Sequence, residues 1–169
     1  MSEINPDSLK IYLTFVVNAL RGGNPIGTSH FLVQNMTEIL EVSEILYGDM
    51  EQETIYRGVI LPKPTKYLKP HKNFPYISCT DDLKVAEHFA DPGPKGFGVL
   101  FGDLGDYGYV VDIDPPYTIL FHYSFAFGPL VEFFESQFGE GMEIIAKQRE
   151  VMILQPMRDI RIKRPVISK

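Results

Sequence analysis

The chain has 169 residues, 44% of them hydrophobic and 22% charged, which is the make-up of one ordinary globular domain rather than of a disordered or fibrous chain. Its formal net charge of -6 argues against a surface built to neutralise nucleic-acid phosphates, and its single cysteine, Cys79, excludes an internal disulfide. The start, Met1-Ser2-Glu3-Ile4-Asn5-Pro6-Asp7, lacks a basic secretory region, and the apolar run Ile11 to Leu20 is too short to span a bilayer, so a soluble cytoplasmic protein is expected.

Pro6-Asp7-Ser8 reads as a helix entry. Ile11, Tyr12, Phe15, Val16, Ala19 and Leu20 then recur at helical spacing until Gly22-Gly23-Asn24-Pro25 ends the run. A second helical pattern runs through Ile39, Leu40, Val42, Ile45 and Leu46 to Gly48. From Thr54 the character changes to a β-forming stretch closed by Pro62, followed by a proline- and lysine-rich loop to about Phe74. Tyr76 to Thr80 reads as a strand, with Asp81 or Asp82 capping a short helix through Val85, Ala86, Phe89 and Ala90. Beyond Asp91-Pro92-Gly93-Pro94, strands are expected at Val99 to Phe101 and Tyr109 to Ile113, a helix over Leu130 to Phe138 and a closing strand from Ile144 to Leu154. Ile160-Arg161-Ile162 is expected to add a last edge strand. Two helices followed by short strands, with no βαβ rhythm, give an α+β class in a single domain: a helical part over about 1–50 and a core over about 54–165.

The chemistry concentrates in Gln148-Arg149-Glu150, which opens the apolar run Val151-Met152-Ile153-Leu154. On a strand, alternation would put Gln148 and Glu150 on one face with Arg149 turned away. A carboxylate held at the mouth of a buried strand stabilises a developing positive charge, because the low local dielectric strengthens the interaction. Upstream stand Tyr56-Arg57-Gly58 on an early strand and Tyr76-Ile77-Ser78-Cys79-Thr80 before a helix.

In this order the three patterns resemble the Arg-Ser-Glu clade of ADP-ribosyltransferases, over roughly residues 54 to 155. The family reads an aromatic followed by Arg, an aromatic-x-Ser-Thr-Ser motif before a helix, and Glu-x-Glu or Gln-x-Glu leading into a hydrophobic strand. The resemblance implies a split, mostly antiparallel β-sandwich core preceded by helices. It implies NAD as co-substrate, and transfer of ADP-ribose through an oxocarbenium-like state like that of glycoside cleavage. Glu150 would stabilise that state by bonding the ribose 2′-hydroxyl. Arg57 would offer the pyrophosphate a planar fork of donors. Gly58 would let the backbone approach the nicotinamide carboxamide. Ser78 would brace Glu150 and touch the ribose, with Thr80 keeping a hydroxyl where the motif ends in Ser and Cys79 departing from its Thr.

Gln148 stands where arginine-modifying relatives carry Glu. An amide hydrogen-bonds a neutral group but cannot take a guanidinium proton, which points away from arginine. Relatives with Gln here modify asparagine, glutamine or other neutral acceptors, and some modify guanine bases; the resemblance together with the net charge favours a protein side chain over a nucleic-acid acceptor. Relatives carry an acceptor-recognising loop where this chain has Phe138-Gly139-Glu140-Gly141-Met142-Glu143-Ile144, and glycines on both sides of Glu140 suggest mobility there. Lys95 and Phe97 fall where relatives place a loop over the phosphates. Short members of the family occur in tailed phages, where they modify host proteins, and the sequence fits that reading and a toxin delivered by dedicated machinery equally well; host cytoplasm is the expected location in either case, and a monomer is expected.

Other readings come from the same residues. Water as acceptor would make the chain an NAD glycohydrolase. Asp112 and Asp114, with Glu143, are candidate magnesium ligands for a metal-dependent nuclease. A non-catalytic interaction module would explain the altered Ser-Cys-Thr segment. Glu150 alone fits a solvent-facing strand residue, Arg57 a surface pair and Ser78 a cap neighbour. His30, His71, His88 and His122 lack zinc-ligand spacing, the glycines from Gly93 to Gly108 match no phosphate-loop pattern, and no cation near Cys79 in sequence argues for a reactive thiol.

Overall fold

The computed structural model describes residues 4–93 and 106–168, so the strand expected at Val99 to Phe101 and the expected loop at Lys95 and Phe97 lie outside the described residues. Helix α1 spans Pro6–Arg21. Asn5 caps it by accepting from the Asp7 and Ser8 N–H groups, and Gly22 ends it in the left-handed conformation at φ 66°. The Gly22-Gly23-Asn24-Pro25 break is also the entry to a helix the sequence reading passed over, α2, Pro25–Gln34. There Asn24 accepts from the Gly27 N–H and Pro25 supplies the preset first turn. Helix α3, Met36–Tyr47, follows as expected. The three helices bury Tyr12, Phe15, Leu32, Ile39 and Val42 against the sheet. Tyr12 donates its hydroxyl proton to the Leu120 carbonyl at 2.6 Å and lies 2.9 Å from the Tyr47 hydroxyl, which satisfies polar groups that burial would otherwise penalise.

The strands are β1 (Ile55–Leu61), β2 (Tyr67–Leu68), β3 (Tyr76–Thr80), β4 (Tyr107–Ile113), β5 (Ile119–His122), β6 (Glu150–Leu154), β7 (Ile160–Arg161) and β8 (Ile167–Ser168). Six of them form one antiparallel sheet in the order β5-β6-β3-β1-β4-β8, while β2 and β7 pair apart as a ribbon. The class is α+β, with helices leading into an antiparallel sheet. The ribbon was expected only on its β7 side, because Tyr67 and Leu68 sit inside a run of Lys and Pro that hides a two-residue strand. The sequence reading does not separate β5, although Ile119-Leu120-Phe121 is an apolar β-forming run after Pro115-Pro116, nor the two-residue β8.

The sheet is weakest at its centre. Strands β1 and β4 pair from Ile55↔Ile113 to Leu61↔Tyr107, and β3 and β6 from Tyr76↔Leu154 to Thr80↔Glu150. Between β1 and β3, by contrast, the only register pair is Tyr56↔Thr80. The sheet therefore divides into two halves joined at one point, and a gap opens beyond that point.

Helix α4, Leu83–Ala90, is capped by Asp82, whose side chain accepts from the Lys84 N–H, and it lies across β1 and β4 with Ala86 and Ala90 buried. Helix α5, Val131–Phe138, matches the expected helix. The closing strand does not begin at Ile144: residues Met142–Gln148 form helix α6, and β6 starts at Glu150. The Ile144-Ile145 pair imitates a strand, but the segment is otherwise Met, Glu, Ala, Lys and Gln, all good helix formers, and its buried residues Met142 and Ile145 are three apart. Around Glu140 the chain forms a short 3-10 turn, Gly139–Gly141, running into α6.

Candidate active site

The gap between the sheet halves brings Arg57, Ser78 and Glu150 together from β1, β3 and β6. Register decides the second pair. Thr80 stands opposite Glu150 and Ser78 opposite Met152, so Ser78 and Glu150 are diagonal neighbours on one face. The Ser78 hydroxyl donates to Glu150 Oε1 at 2.5 Å. Arg57 Nη1 donates to the Ser78 carbonyl at 2.7 Å, on the side where a continued β1–β3 ladder would have supplied a backbone donor. One serine thus joins the guanidinium of one sheet half to the carboxylate of the other.

These residues line a cleft of about 510 Å³, walled by Gly58, Thr80, Phe89, Ile144 and Gln148 and reaching the end of α1 at Arg21. Burial raises the Glu150 carboxyl above the ordinary glutamate range, while the Ser78 hydrogen bond and the Arg57 charge pull it back down.

No protein-family model, curated protein or solved structure matches this chain.

Gln148 also reaches the cleft, by a route different from the expected one. It is the last residue of α6, Arg149 follows in the left-handed conformation at φ 48°, and Glu150 begins the strand, so the trio is a helix-to-strand corner rather than alternating strand residues. Arg149 holds that corner. Its Nε donates to Asp81 Oδ1 at 2.5 Å and its Nη2 to Oδ2 at 3.1 Å, and its guanidinium lies 4.9 Å from the centre of the Tyr123 ring. The Tyr123 hydroxyl donates to the same carboxylate at 2.9 Å. Burial alone would lift the Asp81 carboxyl, but the hydrogen bonds from Arg149 and Tyr123 outweigh it and hold it below the usual carboxylate range.

A depressed carboxyl stabilises the fold above its unfolded pKa and loses that contribution as pH falls through its folded one. Asp81→Asn is expected to lose about 1 kcal/mol at pH 7, since Arg149 is partly solvated, and to converge on wild type only well below about pH 4, as pH falls through the depressed folded value. Urea titrations at both pH values test this.

Two of the expected ligands have structural duties. Thr80 is buried, donates its hydroxyl to the Gln148 carbonyl at 2.8 Å and accepts from the Asp82 N–H at 3.1 Å; it ties α6 and α4 to the cleft floor. Gly58 lines the cleft, but its missing side chain serves α4. A Cβ there would run into the Ala86 carbonyl and lie 2.8 Å from Ala90 N and 2.9 Å from Phe89 Cβ. Cys79 is buried on the opposite face with Ile77, Val151 and Ile153, and burial pushes its thiol up to about 12 even with Arg57 nearby in space.

The sequence reading missed Phe89 as a site residue. It fits the apolar set of α4, yet the residue is 47% exposed and lines the cleft. Asp112, Asp114 and Glu143 are not brought together. Asp112 is paired with Arg164 and Asp114 with Lys163, and among the described residues no group of three or more His, Cys, Asp or Glu is placed to hold a metal ion. Nor is any described helix long and apolar enough to cross a membrane.

Proposed function

We propose that this chain is a mono-ADP-ribosyltransferase of the Arg-Ser-Glu type, which takes NAD as co-substrate and passes ADP-ribose to a macromolecular acceptor. One observation carries the reading: residues 57, 78 and 150, distant in sequence, meet through two short hydrogen bonds at the floor of one cleft. An antiparallel sheet split between the Arg57 and Ser78 strands, with helices before it, supports the reading, because it leaves a gap in which the three residues meet.

The donor set suits the substrate. Arg57 spends one N–H on Ser78 and keeps its others for a diphosphate, in a fork that lysine cannot imitate. The exposed Phe89 ring offers a flat apolar wall to a heteroaromatic ring. Ser78 aims Glu150 by hydrogen-bonding one carboxylate oxygen, leaving the other free for a ribose hydroxyl. Glu150 in its ionised form stabilises the positive charge that grows on the ribose as the bond to nicotinamide breaks, and the half-buried cleft strengthens that interaction. Gln148, an amide at the cleft wall, positions a neutral acceptor group and has no charge with which to draw a proton from a guanidinium.

Incubation with NAD labelled in its adenylate half and a cell extract is expected to mark discrete macromolecules. Ser78→Ala, which unties Glu150 without removing it, is expected to lower the labelling rate by about 10- to 100-fold. Equal labelling by the variant and wild type refutes the reading.

A further inference from the structure

A second groove, of about 850 Å³, opens on the other side of Arg57, Gly58 and Ser78, and these three residues border both spaces. Its far wall is the β2–β7 ribbon, where Tyr67 pairs with Arg161 and Leu68 with Ile160. The charge of this wall is the reverse of the chain's. Lys63, Lys66, Lys69 and Lys72 come from the segment 62–75, which holds no Asp or Glu. Arg158, Arg161, Lys163 and Arg164 come from the segment 155–164, with Asp159 as the only acid. The two segments lie far apart in sequence, so no basic run is visible there, and strand pairing brings them together, with one cation from each, Lys69 and Arg158, lining the groove of a protein of net charge -6.

Among the described residues only Lys163 and Arg164 of this set form ion pairs, and no carboxylate lines the groove. Lys69 and Arg158 line it together with Tyr67, which is 49% exposed, and with His71, Phe74 and Tyr76. The aromatic wall is fixed: Gln155 donates to the His71 and Phe74 carbonyls at 2.6 and 2.9 Å and accepts from the His71 N–H at 2.7 Å. The His71 and Phe74 rings lie 4.7 Å apart.

The exposed Tyr67 and His71 and the half-buried Phe74, interleaved with Lys69 and Arg158, which form no ion pair among the described residues, suit a ligand that carries both phosphates and flat bases. An acidic peptide would use the cations and leave the rings without purpose. We propose that this groove and ribbon bind a single-stranded nucleic acid, which is led past Ser78 and Arg57 into the catalytic cleft as the acceptor. This rests on the transferase reading for the acceptor role, though not for binding itself. Transfer to a base nitrogen forms the bond to ribose C1′ as the C1′–nicotinamide bond breaks, with the bonding pair leaving on nicotinamide and the displaced proton passing to solvent. No carboxylate among the described residues lines the groove, so the negative net charge does not oppose this contact there.

The test measures fluorescence anisotropy of the full chain with a labelled single strand of about 12 nucleotides, with no NAD present. Affinity is expected to fall with salt at a log–log slope of roughly -3 to -4, from five or so phosphate contacts at about 0.7 each. Lys69→Glu with Arg158→Glu is expected to weaken binding at least about 30-fold, and Tyr67→Ala about 10-fold, through a lost stacking contact. Both variants should release nicotinamide from NAD at the wild-type rate when no acceptor is present. Binding unaltered by the charge reversal, or a polyglutamate peptide or free AMP bound as tightly as the strand, overturns the proposal. Strand binding by a protein that never releases nicotinamide overturns the transferase reading and leaves the groove assignment standing.

Discussion

At pH 7, Glu150→Gln is expected to lose about 10³-fold in ADP-ribose transfer and yet to melt at a higher temperature than wild type. Both effects have one cause. Burial raises the Glu150 carboxyl above its ordinary value, so the folded protein disfavours the ionised form. For a carboxyl raised in the fold, the contribution to stability is full below the unfolded pKa and is lost as pH rises through the folded one. At neutral pH wild type therefore holds an anion that its own fold resists, offset in part by Ser78 and Arg57. The amide keeps the shape and can still accept from Ser78, but it has no charge to desolvate and none to set against the reacting ribose.

Each kcal/mol relieved is worth about 2–4 °C in a chain of this size, and the difference in melting temperature is expected to vanish near pH 4, where wild type is protonated too. Wild-type activity should fall on the acid side with a midpoint above that of a free glutamate, about 4.3. A variant that retains transfer removes Glu150 from the chemistry, and one that melts lower than wild type at pH 7 refutes the cost of burying its charge.

What could be read from the amino-acid order was whatever depends on near neighbours. Helix α1 announces itself by Pro6 after Asn5 and by Gly22, α4 by Asp82, and β1 and β3 by their β-branched and aromatic content, since caps and propensities act within a few residues. Arg57, Ser78 and Glu150 could be nominated together only through their order and a family pattern, because nothing local in any of them specifies the other two. Their meeting depends on the β3–β6 register and on the single β1–β3 pair, which are properties of the assembled sheet.

The same distinction explains the misreading of Gln148. Ile144 and Ile145 imitate the start of a strand among helix formers, and the left-handed turn at Arg149 carries no glycine to mark it. That turn is held by Asp81 and Tyr123, each from a different part of the chain. The cations of the groove escaped notice for a related reason: they are split between two segments that only β2–β7 pairing unites.

Gly58 separates a ligand duty from a packing duty by experiment. Gly58→Ala is expected to lose about 1–3 kcal/mol of stability, and Gly58→Val more than about 3, because the added atoms meet backbone rather than a side chain that can swing away. The obstruction is the body of α4, at the Ala86 carbonyl and Ala90 N, and Gly108 on β4 is placed similarly beneath the Ala90 carbonyl. Strands β1 and β4 thus present two adjacent bare positions, paired as Gly58↔Val110 and Ile60↔Gly108, onto which the helix settles.

Forcing α4 outward also moves Phe89, the ring it presents to the cleft, so NAD affinity should fall together with stability. The ratio of the two is diagnostic. If Gly58 acted only by letting a nicotinamide carboxamide approach the backbone, Gly58→Ala would raise KM for NAD with the melting temperature unchanged. The helix contact instead requires that destabilisation appear with no NAD present, and that Gly108→Ala, remote from the Glu150 side of β1, reproduce it. Denaturant titration of both variants, alongside nicotinamide release at saturating and limiting NAD, distinguishes the two roles.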